Sequence, residues 1–249
     1  MKVTIIGFWH AFPEAGEAAS GYLLEEDGFE LLLDCGSGVI SQLQHYTELS
    51  SIDAVLLSHY HQDHVGDFGA FQYYRLLEPV LWPKKQHEMA VYAHREDEEG
   101  FQRLFYKEAV QPIEYRAQEP FTAGPFTITP VPVKHAVPCF GFRIETAAGS
   151  LFFTADTSYM PELEQAAAQV DVLLAESSFY AGQDGSFAGH MNSEEAAILA
   201  NNAEAGKLIL THLPHFGDHA QLKREAENIF PGPVELAAGG LKINISRDS

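Results

Sequence analysis

The sequence predicts an α/β fold of the αββα sandwich type: two mixed β-sheets packed face to face, with helices outside. Short β-like apolar runs alternate with helical segments, and a block of strands followed by helices occurs in each half of the chain. The chain has 249 residues and 46% hydrophobic content, enough to close a sizeable core, so one domain spanning 1–249 is expected.

In the first half the strands are KVTII (2–6), GYLLEE (21–26) and FELLLDC (29–35). A helix follows over GVISQLQHYTE (38–48), then a strand over IDAVLLSH (52–59) that runs into a histidine cluster. Residues 68–118 differ in texture. They are rich in aromatics, among them Phe71, Tyr73, Trp82, Phe101 and Tyr115, and include the acidic start of a helix, EDEEGFQRLFYKEA. Ordinary core accounts for these rings; a dimer contact or a pocket wall is the functional alternative. In the second half, strands are expected at FTITPVPVKH (126–135), FGFRIET (140–146), SLFFTAD (150–156), DVLLAES (171–177) and KLILTH (207–212). Helices are expected at MPELEQAAAQ (160–169), SEEAAILANNAEA (193–205) and HAQLKREAENIF (219–230).

Charge restricts the partners. With 35 acidic against 15 basic residues the net charge is −20, and no Lys/Arg-rich stripe offsets it, so long RNA or DNA is disfavoured. A small, singly charged substrate is compatible, because bound divalent cations reverse the potential locally. The apolar runs are too short to span a bilayer, and MKVTIIGF reads as a strand with no secretion-signal layout, so no membrane association and a cytoplasmic location are expected. The only cysteines, Cys35 and Cys139, cannot form a disulfide framework, which suits a reducing compartment.

The chemistry concentrates in LLSHYHQDHVGD (56–67). His59 and His61 sit two apart at a strand end, and Asp63 and His64 follow in the turn, a pattern able to serve two metals. Further candidates each close a predicted strand: His135, Asp156 and His212. Imidazole and carboxylate suit zinc and accept manganese, so zinc is the first expectation and manganese the second.

HYHQDH, with the later His135, Asp156 and His212, resembles the metallo-β-lactamase superfamily along nearly the whole chain. The resemblance implies the fold of that name and two divalent ions. His59, His61 and His135 would form site A, and Asp63, His64 and His212 site B, with Asp156 and a water bridging them. Asp34 in LLLDCGSG would support the histidine loop; helix capping is its plainer role.

KHAVPCFGFRIE and GHMNSEEAAILANNAEAGKLILTH resemble ribonuclease Z and its phosphodiesterase relatives, where a histidine ahead of the helix pairs with a glutamate to protonate the leaving oxygen. His190 and Glu176 match those positions, so the expected catalytic residues are Asp63, His190 and Glu176. Structurally, His190 would merely precede an N-cap at Ser193. The long arm that grips transfer RNA in bacterial ribonuclease Z has no counterpart, because two predicted strands fill the interval between His135 and Asp156.

GFWHAFPEAGEAASGYLL and THLPHFGD resemble a Bacillus-type branch that includes the anti-Pycsar cyclic nucleotide phosphodiesterases. The resemblance implies hydrolysis of 3′,5′-cyclic nucleotides (cCMP, cUMP, cAMP, cGMP) with broad base tolerance, a homodimer, and a role in countering cyclic-nucleotide antiviral signalling. The base would lie against aromatics of residues 68–118. His10 and His215 could reach the substrate, and Arg143 could meet a phosphate oxygen or lie on an exposed strand face. The alternatives are a ribonuclease Z-like RNA 3′-end nuclease and a protein that sequesters nucleotides without hydrolysing them.

Overall fold

A computed structural model describes residues 1–82 and 89–246. Residues 83–88 of the aromatic-rich stretch and residues 247–249 lie outside it.

The chain first lays down β1 (Lys2–Gly7), β2 (Gly21–Glu26) and β3 (Phe29–Leu33) as an antiparallel meander. Then β4 (Ala54–Leu56), β5 (Ala90–Ala93) and β6 (Pro112–Glu114) add in parallel. The second half repeats the plan. An antiparallel set, β7 (Phe121–Ala123), β8 (Phe126–Pro132), β9 (Phe140–Glu145) and β10 (Ser150–Phe153), is extended in parallel by β11 (Val172–Glu176), β12 (Leu208–Thr211) and β13 (Val234–Leu236). Finally β14 (Lys242–Asn244) returns to pair with β1, giving two seven-stranded sheets among the described residues.

Period-2 geometry sends alternate side chains to opposite faces, and both faces of the first sheet are covered. Leu24, Leu31, Leu33 and Leu56 pack inward against Phe126, Phe142, Ile144 and Phe153 of the second sheet. Leu23, Leu32, Val55 and Val91 point outward. There they meet α1 (Val39–Leu43), α3 (Phe68–Leu81) and α4 (Glu98–Arg103) through Val39, Leu43, Phe68, Phe71 and Phe101. Burial on both faces is why residues 31–33 are an unbroken run of leucines. On the second sheet lie α5 (Glu162–Ala166), α6 (Ser193–Asn202) and α7 (His219–Glu227). The short α2 (Gln62–Val65) carries Asp63 and His64, which the sequence placed in a turn.

Several boundaries move. The helix expected over 38–48 is helical only at Val39–Leu43, and β6, β13 and β14 are three-residue strands without a periodic signal. The N-cap of α6 is Asn192, not Ser193: its side chain accepts from Glu195 N at 2.9 Å, and Glu195 accepts from Asn192 N at 2.9 Å, a capping box. Arg143 is not a phosphate contact. Its Nη1 donates to the carbonyls of Ala166 and Ala168, both at 3.0 Å, closing the end of α5. Phe71 and Phe101 lie in the outer core, and Tyr115 lies between the sheets with its hydroxyl donating to Leu57 O at 2.7 Å. Cys35 and Cys139 are separate, free and buried. Among the described residues, no helix is long and apolar enough to cross a membrane.

Candidate metal centre

Strand polarity builds the site. Strands β1, β3 and β4 run in one direction, so the residues following them, His10, Asp34 and His59, share one edge of the first sheet. Strands β8, β10, β11 and β12 likewise run together, placing His135, Asp156, Glu176 and His212 on one edge of the second. Cross-links pin the two edges: Leu213 N donates to Phe8 O at 2.9 Å, His10 N to Leu213 O at 3.1 Å, and Phe140 N to Ser58 O at 3.2 Å. Within the sandwich, Tyr22 Oη and Thr211 Oγ1 are 2.8 Å apart.

Four overlapping donor groups result among the described residues, each with its donor atoms within 4.8 Å of one another. Two hold the expected ligands, His59, His61, His135 and Asp156 in the first and Asp63, His64, Asp156 and His212 in the second; the others are His10, His190 and His212, and Asp156, Glu176 and His190. In the first, His61 Nδ1 lies 3.1 Å from both His59 Nε2 and His135 Nε2. In the second, Asp63 Oδ2 lies 3.2 Å from His212 Nε2, and Asp156 Oδ1 lies 3.1 Å from His64 Nε2 and 3.4 Å from His212 Nε2. Asp156 divides itself between them: Oδ2 faces His59 Nε2 at 3.8 Å and His135 Nε2 at 3.9 Å, while Oδ1 faces the other set.

The donor set fits a divalent ion. Bonds of about 2.0–2.1 Å in a tetrahedron put neighbouring donors roughly 3.3 Å apart, close to these separations. His64 Nε2 is buried and has no partner of hydrogen-bonding geometry, the kind of orphaned lone pair a cation would use. Protonation also agrees. Burial lowers the pKa of His59, His61 and His135, favouring neutral imidazole. Burial opposes the charge of Asp63 and Asp156, yet the surrounding histidines hold both carboxyls well below the usual range. His64 differs: burial disfavours its charge, but Asp156 and Asp34 on either side raise its pKa.

A second ring of contacts orients these groups. His64 Nδ1 lies 2.7 Å from Asp34 Oδ2, whose carboxylate also accepts from Ser58 N at 2.8 Å and Ser58 Oγ at 2.9 Å, so Asp34 caps no helix. Nδ1 of His135 meets Gly189 O at 3.0 Å, and a Cβ on Gly189 would come within 2.7 Å of that nitrogen. Nδ1 of His212 meets Ser178 Oγ at 2.9 Å. Asp34, Ala155 and His212 all adopt left-handed backbone at φ 58°, 51° and 54°, a conformation costing of order 1–3 kcal/mol for a non-glycine residue and typical of functional sites.

His190 sits between the clusters. Its ring packs edge-on to His135 at 5.2 Å and stacks on His212 at 5.4 Å, and its Nδ1 lies 2.8 Å from Glu176 Oε1. Burial disfavours charge on His190, but the Glu176 carboxylate overcomes it and the pKa is pushed up to about 9. His10 belongs here as well. Its Nδ1 is 3.3 Å from His212 Nδ1, and Ala11 N donates to Asp63 Oδ2 at 2.9 Å. Burial and the neighbouring His212 and His190 lower its pKa to about 3. In the sequence His10 carries only the weight of a loop histidine, and Ser58, Ser178 and Thr157, whose N donates to Glu176 Oε1 at 2.8 Å, carry no signal.

Comparison with known proteins places this geometry. The Beta-lactamase superfamily domain matches residues 30–213. A relative described as "Probable metallo-hydrolase YhfI", from Bacillus subtilis (strain 168), is 46% identical over 240 residues, covering 96% of this chain and 98% of its own. The crystal structure of YhfI superposes with a TM-score of 0.93 at 44% identity, covering 97% of this chain and 98% of that one. Human tRNase Z, short form, shares the fold at TM-score 0.78 and 19% identity, covering 98% of this chain and 99% of its own. The chain therefore belongs to the beta-lactamase superfamily, and its two packed mixed sheets are the metallo-β-lactamase fold.

Proposed function

We propose that the protein is a dinuclear metal-dependent phosphodiesterase that opens 3′,5′-cyclic nucleotides to 5′-monophosphates. The observation that carries this reading is the placement of His190, held by Glu176, between two donor clusters that share Asp156. His59, His61 and His135 would hold one ion, Asp63, His64 and His212 the other, and Asp156 both, with zinc the best match to this donor set and manganese acceptable. When bound, the ions supply Lewis acidity toward the phosphate and an acidified water.

The remaining work falls to side chains. Glu176 Oε1 fixes Nδ1 of His190 and also accepts from Thr157 N at 2.8 Å, so the carboxylate cannot swing away. The opposite nitrogen, Nε2, then carries the proton to deliver to the departing ribose oxygen. Delivery relieves the alkoxide that ring opening would otherwise leave.

Substrate size follows from surface and topology. Net charge −20 repels a long polyanion, and the interval between His135 and Asp156 is occupied by β9 and β10, both built into the sheet. A small cyclic phosphodiester suits that site better than transfer RNA. The same resemblance carries a homodimer, for which Tyr73, Leu77, Val80 and Leu81, exposed on α3, offer an apolar contact. A parallel assay with cAMP and a short RNA bearing a 3′ extension tests this reading. Turnover of the cyclic nucleotide alone supports it, RNA trimming alone favours the nuclease, and stoichiometric capture without product favours sequestration.

A further inference from the structure

The loop between β1 and β2 builds a stack of three rings beside the clusters. His215 lies between Trp9 and Phe12, with ring centroids 4.8 and 3.9 Å away and planes inclined by 9° and 7°. Both His215 nitrogens are engaged: Nε2 lies 2.9 Å from His10 O and Nδ1 3.2 Å from Glu14 Oε1. Trp9 is fixed in turn by its bridges to Ala19 and Leu213, by its indole N–H on Glu17, and by His219 at 5.3 Å.

Phe12 ends the stack and is 58% exposed, so one face rests on His215 while the other is open. Single exposed phenylalanines are common on protein surfaces. What distinguishes this one is that its ring plane is set by two rings beneath it, and that its loop is tied to the candidate centre. Ala11, its neighbour, donates to Asp63 Oδ2 at 2.9 Å, and His10 approaches His212 at 3.3 Å. A flat group linked to a phosphate at the clusters would find a preorganised surface there, with little ordering cost.

We propose that the open face of Phe12 is the platform on which the flat part of the substrate stacks and, resting on the phosphodiesterase reading above, that this part is a nucleobase. Phe12 offers no polar atom to read base edges. Stacking on it accepts any base, because every base has a π-face. On this proposal the ring that supports the base is on the β1–β2 loop, in place of the aromatics of residues 68–118 expected from the sequence.

Binding of 5′-AMP and of ribose 5-phosphate to the zinc-loaded full-length protein, measured by calorimetry, tests the platform. The wild type should bind AMP more tightly than ribose 5-phosphate. Phe12→Ala should weaken AMP about 5- to 100-fold and leave ribose 5-phosphate unchanged, whereas Phe12→Trp should retain AMP. Equal affinity of the wild type for both ligands, equal loss of both in Phe12→Ala, or no loss of either would overturn the proposal. So would a change in oligomeric mass with Phe12→Ala, which would assign the ring to a second copy of the chain. Cyclic nucleotide turnover by the same preparations separates the two readings. Turnover with unaltered AMP binding in Phe12→Ala sinks the platform alone; AMP-selective loss without turnover sinks the phosphodiesterase alone.

Discussion

Nδ1 of His190 lies 2.8 Å from Oε1 of Glu176, and both side chains are buried at the junction of two clusters of histidine and aspartate. A buried imidazole so paired has one nitrogen committed and one free to exchange a proton. His190→Ala should therefore reduce kcat for a cyclic nucleotide by about 10²- to 10⁴-fold. The loss should shrink sharply for bis-p-nitrophenyl phosphate, whose leaving group needs no proton. Equal losses on both substrates would show that His190 acts by position only.

The same pair sets a pH dependence. The folded pKa of His190 is raised from 6.5 to about 9, so its contribution to stability is complete below pH 6.5 and is lost as pH rises through the folded value. Activity that needs the proton falls along the same alkaline limb. Glu176→Gln removes the charge that favours the imidazolium, so the limb should move to lower pH. Cations in the neighbouring clusters would lower the limb in both enzymes, which makes the displacement between them the diagnostic quantity. pH–rate profiles of the two proteins measure it.

Asp34 offers a test that leaves the candidate ligands intact. Asp34→Asn keeps the volume but weakens the carboxylate hold on His64 Nδ1, and should reduce metal affinity by about 10- to 100-fold in a chelator competition. Asp34→Ala should also strand the Ser58 amide, lowering stability by roughly 1–3 kcal/mol.

Backbone packing behind the histidine loop gives a further prediction. A Cβ on Gly36 would stand 1.9 Å from the carbonyl oxygen of Asp63, and that oxygen already accepts from Ser20 N at 3.0 Å. Gly36→Ala must therefore displace α2, which carries Asp63 and His64. Melting should fall by roughly 2–10 °C, accompanied by loss of bound metal. Unchanged metal content by elemental analysis would contradict it.

Much of this was legible in the sequence because the informative residues sit at strand ends. Residues 31–33, 151–153 and 208–210 are apolar runs buried on both faces, and a polar residue soon after such a run is conspicuous. Three-residue edge strands such as Pro112–Glu114 and Lys242–Asn244 have no period to detect and form only because a neighbouring strand offers its edge. Nor did the sequence show the Phe12–His215 stack or the approach of His10 to His212, since each joins loops about two hundred residues apart. Asn192 and Ser193 are equally good capping residues by type, and only the reciprocal bonds with Glu195 identify Asn192 as the N-cap.

The most direct test of the central claim is product formation from cAMP, cGMP, cCMP and cUMP by the purified protein with added zinc or manganese, beside Asp156→Ala. Conversion of all four to 5′-monophosphates, abolished in the variant that removes the residue shared by both clusters, is the predicted result. No turnover of any cyclic nucleotide with either metal would contradict it.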